Sequence, residues 1–141
     1  MNAKKIITAT LVAFIVVFLF DYLWFGVIFK DMWASFMTEF MKSMPERPNI
    51  AIHALGDLSL AALLAWIYPA GYKGGSALSE GIQFGFMMGL IMQLPGSIHM
   101  YDGMASTELV CLSVLHGILA GIIGGICVAM MYGKISAPSA G

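Results

Sequence analysis

The chain has 141 residues, of which 60% are apolar and only 11% are charged, with a formal net charge of −1. Soluble domains are less apolar, and a nucleic-acid surface needs clustered basic residues. Composition therefore excludes an ordinary soluble fold and a nucleic-acid-binding protein. The length favours one domain, residues 1–141, embedded in the lipid bilayer.

Four apolar stretches predict transmembrane helices, each near the roughly 20 residues that cross a bilayer. They are residues 6–28, 50–67, 78–98 and 109–131. Lys4 and Lys5 precede the first stretch, but no cleavage site of small residues follows, so we expect an uncleaved span. The predicted fold class is an all-α integral membrane protein with four transmembrane helices and one interfacial helix.

The interfacial helix is predicted between the first two spans, over about residues 31–44. Its apolar residues recur at helical spacing, with Ser35, Glu39 and Lys42 on the other side. Such a helix lies flat at the membrane surface, against lipid, against the rest of the chain or against a partner protein. The expected contact face is Trp33, Phe36, Met37, Phe40 and Met41.

Glycine occupies every fourth position in two of the apolar stretches. The positions are Gly81, Gly85 and Gly89 in the third span and Gly117, Gly121 and Gly125 in the fourth. Helices in lipid associate through close backbone approach at small residues, because lipid supplies no hydrophobic drive between them. We therefore expect these two spans to pack very closely, against each other or against another chain.

Six polar residues lie within the predicted spans, and such groups are functional candidates by default. They are Asp21, His53, Asp57, Gln93, His99 and His116. His53 and Asp57 share a helix face, and Asp21 is expected to be protonated or paired, with His53 or His116 as possible partners. Structural polar contacts, proton or ion handling, and a metal or tetrapyrrole site all remain open. The histidines lack metal-specific spacing, so the sequence assigns no metal ligands, and no cofactor is evident.

The topology predicts that these polar residues lie in the outer half of the bilayer and the glycines mostly in the inner half. Pro95, between the two levels, invites a kink. The expected bundle is pinched on the cytoplasmic side and splayed toward the outside. A slight excess of lysine on the side of the termini favours a cytoplasmic location for both. The lysines on that side are Lys4, Lys5, Lys73 and Lys134, against Lys30, Lys42 and Arg47 on the other.

The segment from Phe20 to Lys30 carries an Asp-x-x-Trp-x-Gly-x-x-x-Lys pattern formed by Asp21, Trp24, Gly26 and Lys30. It resembles the first-span motif of a family of small four-span bacterial membrane proteins of unknown function. The resemblance implies a four-helix fold in the bacterial inner membrane and implies no reaction.

Two functional interpretations follow from these features. The first is a non-enzymatic accessory subunit that packs its helices within a larger membrane complex or associates with itself. The second is a small homo-oligomeric transporter or channel that couples protons or cations to Asp21, His53, Asp57 and His116. An enzyme is not expected, because no pair of nucleophile and base is evident.

Overall fold

The computed structural model describes residues 3–41, 50–71, 74–101 and 106–136, and this part of the chain is helical. Its α-helices are α1 (Ala3–Leu23), α2 (Lys30–Met41), α3 (Ile50–Gly71), α4 (Ala77–Tyr101) and α5 (Thr107–Ser136). A π-helix, Trp24–Ile28, continues α1. The predicted all-helical class is confirmed.

Three segments in the described residues are long and apolar enough to cross a membrane, which is compatible with a membrane protein. They are Ala3–Ile28, Ile50–Gly71 and Thr107–Gly133. Helix α4 has 25 residues but falls outside this set. Its glutamines, glycines and Pro95 make it less apolar than the others. The fourth span and the interfacial position of α2 therefore remain predictions, and residues 42–44 of the predicted interfacial helix lie outside the described residues.

Helix α5 is central to the bundle. Helices α1 and α3 pack against each other and against α5, whereas α4 packs on α5 far more than on α3. Small side chains allow this close approach. One buried cluster lies near the start of α1 and towards the ends of α3 and α5. We call it the alanine core; it comprises Ala9, Ala13, Ala61, Leu64, Ala65, Tyr68, Val128, Ala129 and Tyr132.

Helix α3 shows how one local defect in the alanine core is repaired. The sequence placed the end of the second span near Ile67, yet α3 runs through Pro69 to Gly71. Proline has no N–H, so the carbonyl of Ala65, four residues earlier, loses its normal helical partner. The Tyr132 hydroxyl on α5 donates a hydrogen bond of 2.9 Å to that carbonyl. A buried backbone group is thus satisfied by a neighbouring helix.

The two glycine series lie against each other along α4 and α5. The pairs run in antiparallel order: Gly81 with Gly125, Gly85 with Gly121, and Gly89 with Gly117. A Cβ atom on Gly85 would lie 2.6 Å from the Cα of Ile122, and one on Gly81 would lie 2.6 Å from the Cα of Ile126. Both distances are shorter than real Cβ contacts, so neither position accepts a side chain without moving a backbone.

A tight turn sets the approach of α4 to α3. Gly74 has a φ angle of +79°, which favours glycine. The N–H of Gly75 donates to the carboxylate of Glu80 in the first turn of α4, and Tyr68 on α3 donates to the same carboxylate at 3.1 Å. The ring of Tyr68 also meets Phe84 edge-on at 5.3 Å. These contacts join α3 to α4 at the end of the bundle that holds the alanine core.

Candidate functional site

Four titratable side chains from three helices meet at the opposite end from the alanine core. We call Asp21 of α1, His53 and Asp57 of α3, and His116 of α5 the polar cluster. Asp21, Asp57 and His116 are buried, while the side chain of His53 is 52% exposed. Helix packing thus brings together four of the six polar residues that the sequence singled out.

The remaining two of the six are placed differently. Gln93 lies on α4, where its side-chain amide donates a hydrogen bond of 3.2 Å to the buried hydroxyl of Ser97. Its side chain also lies over Gly117, where a Cβ atom would collide with it. His99 belongs to α4, but its side chain lies outside the described part of the structure.

The shortest contact in the polar cluster joins Asp21 and His116. His116 Nε2 lies 2.8 Å from Asp21 Oδ1, so the two side chains share a hydrogen bond, which the imidazole N–H donates when Asp21 is ionised. Both groups are buried, and hydrogen bonds to a charged group strengthen where water is excluded. This pair fixes the rotation of the Asp21 carboxylate and leaves its second oxygen, Oδ2, facing α3.

Three aromatic rings of the first span surround His116. Phe20 stacks on the imidazole at 5.4 Å with 8° between the planes, Trp24 lies at 5.6 Å, and Phe25 lies at 4.5 Å. The π-helix explains this enclosure, because the Phe29 N–H bonds to the Trp24 carbonyl five residues back and widens the turn. Phe25, within this wider turn, lies 4.5 Å from His116. Neither the π-helix nor this aromatic enclosure was predicted from the sequence.

The contacts made by His53 and Asp57 in the polar cluster are longer. His53 Nε2 lies 3.6 Å from Asp21 Oδ2 and 3.7 Å from Asp57 Oδ2. Both distances exceed that of a hydrogen bond. Asp57 Oδ2 is buried and has no hydrogen-bond partner in the residues that the structure describes. Ligand atoms of Asp21, His53 and Asp57 all lie within 4.8 Å of one another, so these three residues could hold a metal ion.

A cavity of about 230 Å³ adjoins the polar cluster. All four long helices line it, and its polar lining is Asp21, Asp57, Gln93 and His116. The rest of the lining is Leu60, Gly89, Met92, Gly117, Ala120 and Gly121. Glycines of the α4–α5 contact thus let the two helices touch at the edge of the cavity.

Helix α2 joins this region through aromatic contacts. Trp33 lies 4.5 Å from Phe25 of the π-helix, and Phe36 lies 5.5 Å from Trp33, with both α2 residues half-buried. This part of the predicted contact face therefore packs partly within the chain. The side chains of Met37, Phe40 and Met41 lie outside the described part of the structure.

A comparison with known protein families gives a match over most of the chain. A family model described as protein of unknown function (DUF1761) matches residues 8–131, most of the chain. The chain belongs to the DUF1761 family. Membership of a family of unknown function, which the first-span resemblance predicted, is thereby confirmed at that level. The DUF1761 description neither indicates catalysis nor excludes it.

No curated protein and no solved structure matches the chain. The polar cluster and the cavity are therefore the features of this chain that point to a function.

Proposed function

We propose that this chain is a four-span protein of the bacterial inner membrane that moves protons or small cations through the polar cluster. This is the transporter or channel interpretation, and it involves no covalent chemistry. The observation that carries it is the meeting of two buried carboxylates and two histidines beside a cavity lined by all four long helices.

The fourth span is supported by the contact between α4 and α5. The glycine pairs keep the two helices together from Gly81 to Gly89 of α4, and α5 is itself a candidate span. Because α4 follows α5 this closely, a bilayer that contains α5 contains α4 as well. Four spans put both termini on one side, and the lysine distribution favours the cytoplasm.

The polar cluster is poorly explained as structural support alone. Interhelical polar contacts stabilise a bundle only when both partners are satisfied. The Asp21–His116 pair meets that condition, whereas Asp57 Oδ2 is buried without a hydrogen-bond partner among the described residues and lies 3.7 Å from His53 Nε2. A buried, unsatisfied carboxylate oxygen costs stability. Its presence beside a cavity supports a role in binding a cation or proton.

Flux in liposomes tests the proposal. The purified chain is reconstituted into vesicles with an internal pH-sensitive or metal-sensitive dye, and Asp57→Asn is compared with the native chain. Asn keeps the size of the side chain and removes its charge, so we expect a folded protein without flux. Asp31→Asn on the exposed face of α2 is the matched control and should behave as native. Equal flux with Asp57→Asn, or no flux in the native chain, contradicts the proposal.

A second candidate is the non-enzymatic accessory subunit. It is favoured by α2, whose described residues contact the rest of the chain mainly at the π-helix. If α2 docks a membrane subunit, the native particle in mild detergent has the mass of a large complex. Changing Phe36 and Phe40 together to serine should then reduce its mass. A particle of two to four copies of this chain argues for the transporter instead.

A further inference from the structure

We propose that Asp21, His53 and Asp57 form a binding site for a divalent first-row transition metal ion. The inference rests on the proposed function, because it assigns the cation that the same polar cluster takes. The sequence offered no metal-specific spacing, since the three residues come from two helices and meet only in the folded bundle.

The distances within the site fit a shared ion better than direct contacts. His53 Nε2 lies 3.6 Å from Asp21 Oδ2 and 3.7 Å from Asp57 Oδ2. Two ligands bound at about 2.1 Å in tetrahedral geometry are separated by about 3.4 Å. All three ligand atoms lie within 4.8 Å of one another. The three atoms thus surround a point that one ion can occupy.

The burial and hydrogen bonding of Asp57 also favour a bound ion. The residue is 7% exposed, and its Oδ2 atom has no hydrogen-bond partner in the described residues. Two carboxylates placed together in a buried site repel each other unless a proton or cation lies between them. Asp57 Oδ2 faces His53, and Asp57 lines the cavity. A metal ion would satisfy the orphaned oxygen and neutralise the repulsion together.

His116 acts in this site as a positioning residue. It holds Asp21 Oδ1 at 2.8 Å, which leaves Oδ2 directed toward His53. A hydrogen bond of this kind orients a metal ligand from behind. The rings of Phe20, Trp24 and Phe25 enclose His116 and keep water from this pair.

The set of ligand atoms selects the class of ion. One imidazole nitrogen with two carboxylate oxygens suits Zn²⁺, Mn²⁺, Fe²⁺ or Co²⁺. Ca²⁺ and Mg²⁺ prefer sites made entirely of oxygen, and Cu⁺ prefers sulfur. Three protein ligands leave a coordination position open, and the half-exposed side chain of His53 provides a route of entry. These are the features of a site that exchanges its ion.

Binding of Co²⁺ to the full chain in detergent tests the inference directly. The protein is freed of metal with a chelator and titrated with Co²⁺, whose visible absorption reports imidazole and carboxylate ligation, and then with Zn²⁺ by calorimetry. We expect one ion per chain for both metals and no comparable binding of Ca²⁺. His53→Gln and Asp57→Asn should abolish binding, and His116→Gln should weaken it about 10- to 100-fold. Asp31→Asn should bind as the native chain does.

Helical content and particle size, measured on every variant, separate lost ligation from lost folding. A native chain that binds no Co²⁺, or folded His53→Gln and Asp57→Asn variants that bind it normally, overturns the inference. Stoichiometric binding without flux leaves the metal site standing and refutes the transport function. Proton flux that depends on Asp57 but occurs without metal binding does the reverse.

Discussion

The two ends of the bundle differ in how their polar groups are satisfied. At the alanine core, the Tyr132 hydroxyl completes the hydrogen bonding of a carbonyl left open by Pro69, and Tyr68 donates to Glu80. At the polar cluster, Asp57 Oδ2 remains buried without a hydrogen-bond partner among the described residues. These polar groups of the alanine core are therefore satisfied, whereas the polar cluster keeps a buried carboxylate oxygen without a hydrogen bond to any described residue, which costs stability. We therefore expect the alanine core to stabilise the bundle, and we propose the polar cluster as the cation-binding end.

The α4–α5 contact connects the two ends. Near the alanine core, glycine pairs let the two backbones touch. Further along, Gly89, Gly117 and Gly121 also form part of the cavity wall. Glycine thus provides close contact along the whole α4–α5 stripe, and at Gly89, Gly117 and Gly121 this contact also borders the cavity.

The largest effect is expected from Gly85→Leu. Even a Cβ atom at this position would lie 2.6 Å from the Cα of Ile122, so leucine must separate α4 from α5. Overpacking of this kind costs about 3 kcal/mol or more in the free energy of unfolding. Thermal denaturation in detergent measures the loss. The control is Gly96→Leu on the same helix, where a Cβ atom has no neighbour within 4 Å. Equal stability of the two variants would refute the close contact.

A smaller loss is expected from Asp21→Leu. The substitution removes the acceptor of the His116 hydrogen bond and leaves the imidazole among three aromatic rings. We expect a cost of about 1–2 kcal/mol, at the upper end for polar contacts between membrane helices. A double-mutant cycle with His116→Leu isolates the pair. If the two losses add without a coupling term, the buried pair contributes nothing to stability.

A still smaller loss is expected at the other end from Tyr132→Phe. The ring stays in the alanine core, and only the hydrogen bond to the Ala65 carbonyl is removed. The expected cost is about 0.6 kcal/mol in the same unfolding assay. Tyr22→Phe is the matched control, since the Tyr22 side chain is on the exposed face of α1. No difference between the two variants would argue against the proposed repair of the Pro69 defect.

The sequence predicted the long helices and the glycine packing face well. Apolar length predicted long helices, and the four-residue spacing of glycine in two of them predicted a face suited to close packing. Both signals are local, because each depends on residues within a single helix. The sequence did not predict which partner the glycine face would meet, nor that Gly124 makes room for Leu64 of α3.

The sequence predicted which residues belong to the candidate site, but it did not predict how they are arranged in space. Polar residues within apolar stretches pointed to Asp21, His53, Asp57 and His116 as candidates. Their grouping depends on the packing of α1, α3 and α5, which no spacing along the chain encodes. The π-helix was equally hidden, although the five-residue interval between Phe20 and Phe25 fits its wider turn. His53 and Asp57, four residues apart on one helix, were the part of the site that spacing predicted.

The central claim is that Asp57 of the polar cluster serves to bind a cation rather than to support the fold, and the stability of Asp57→Leu tests it most directly. Melting temperatures of the native chain and the variant are compared in detergent with excess chelator. If Asp57 is kept for binding, removing its unsatisfied buried oxygen leaves the melting temperature unchanged or higher. If Asp57 supports the fold, the variant loses about 1–2 kcal/mol and melts several degrees lower. That second result would contradict the account.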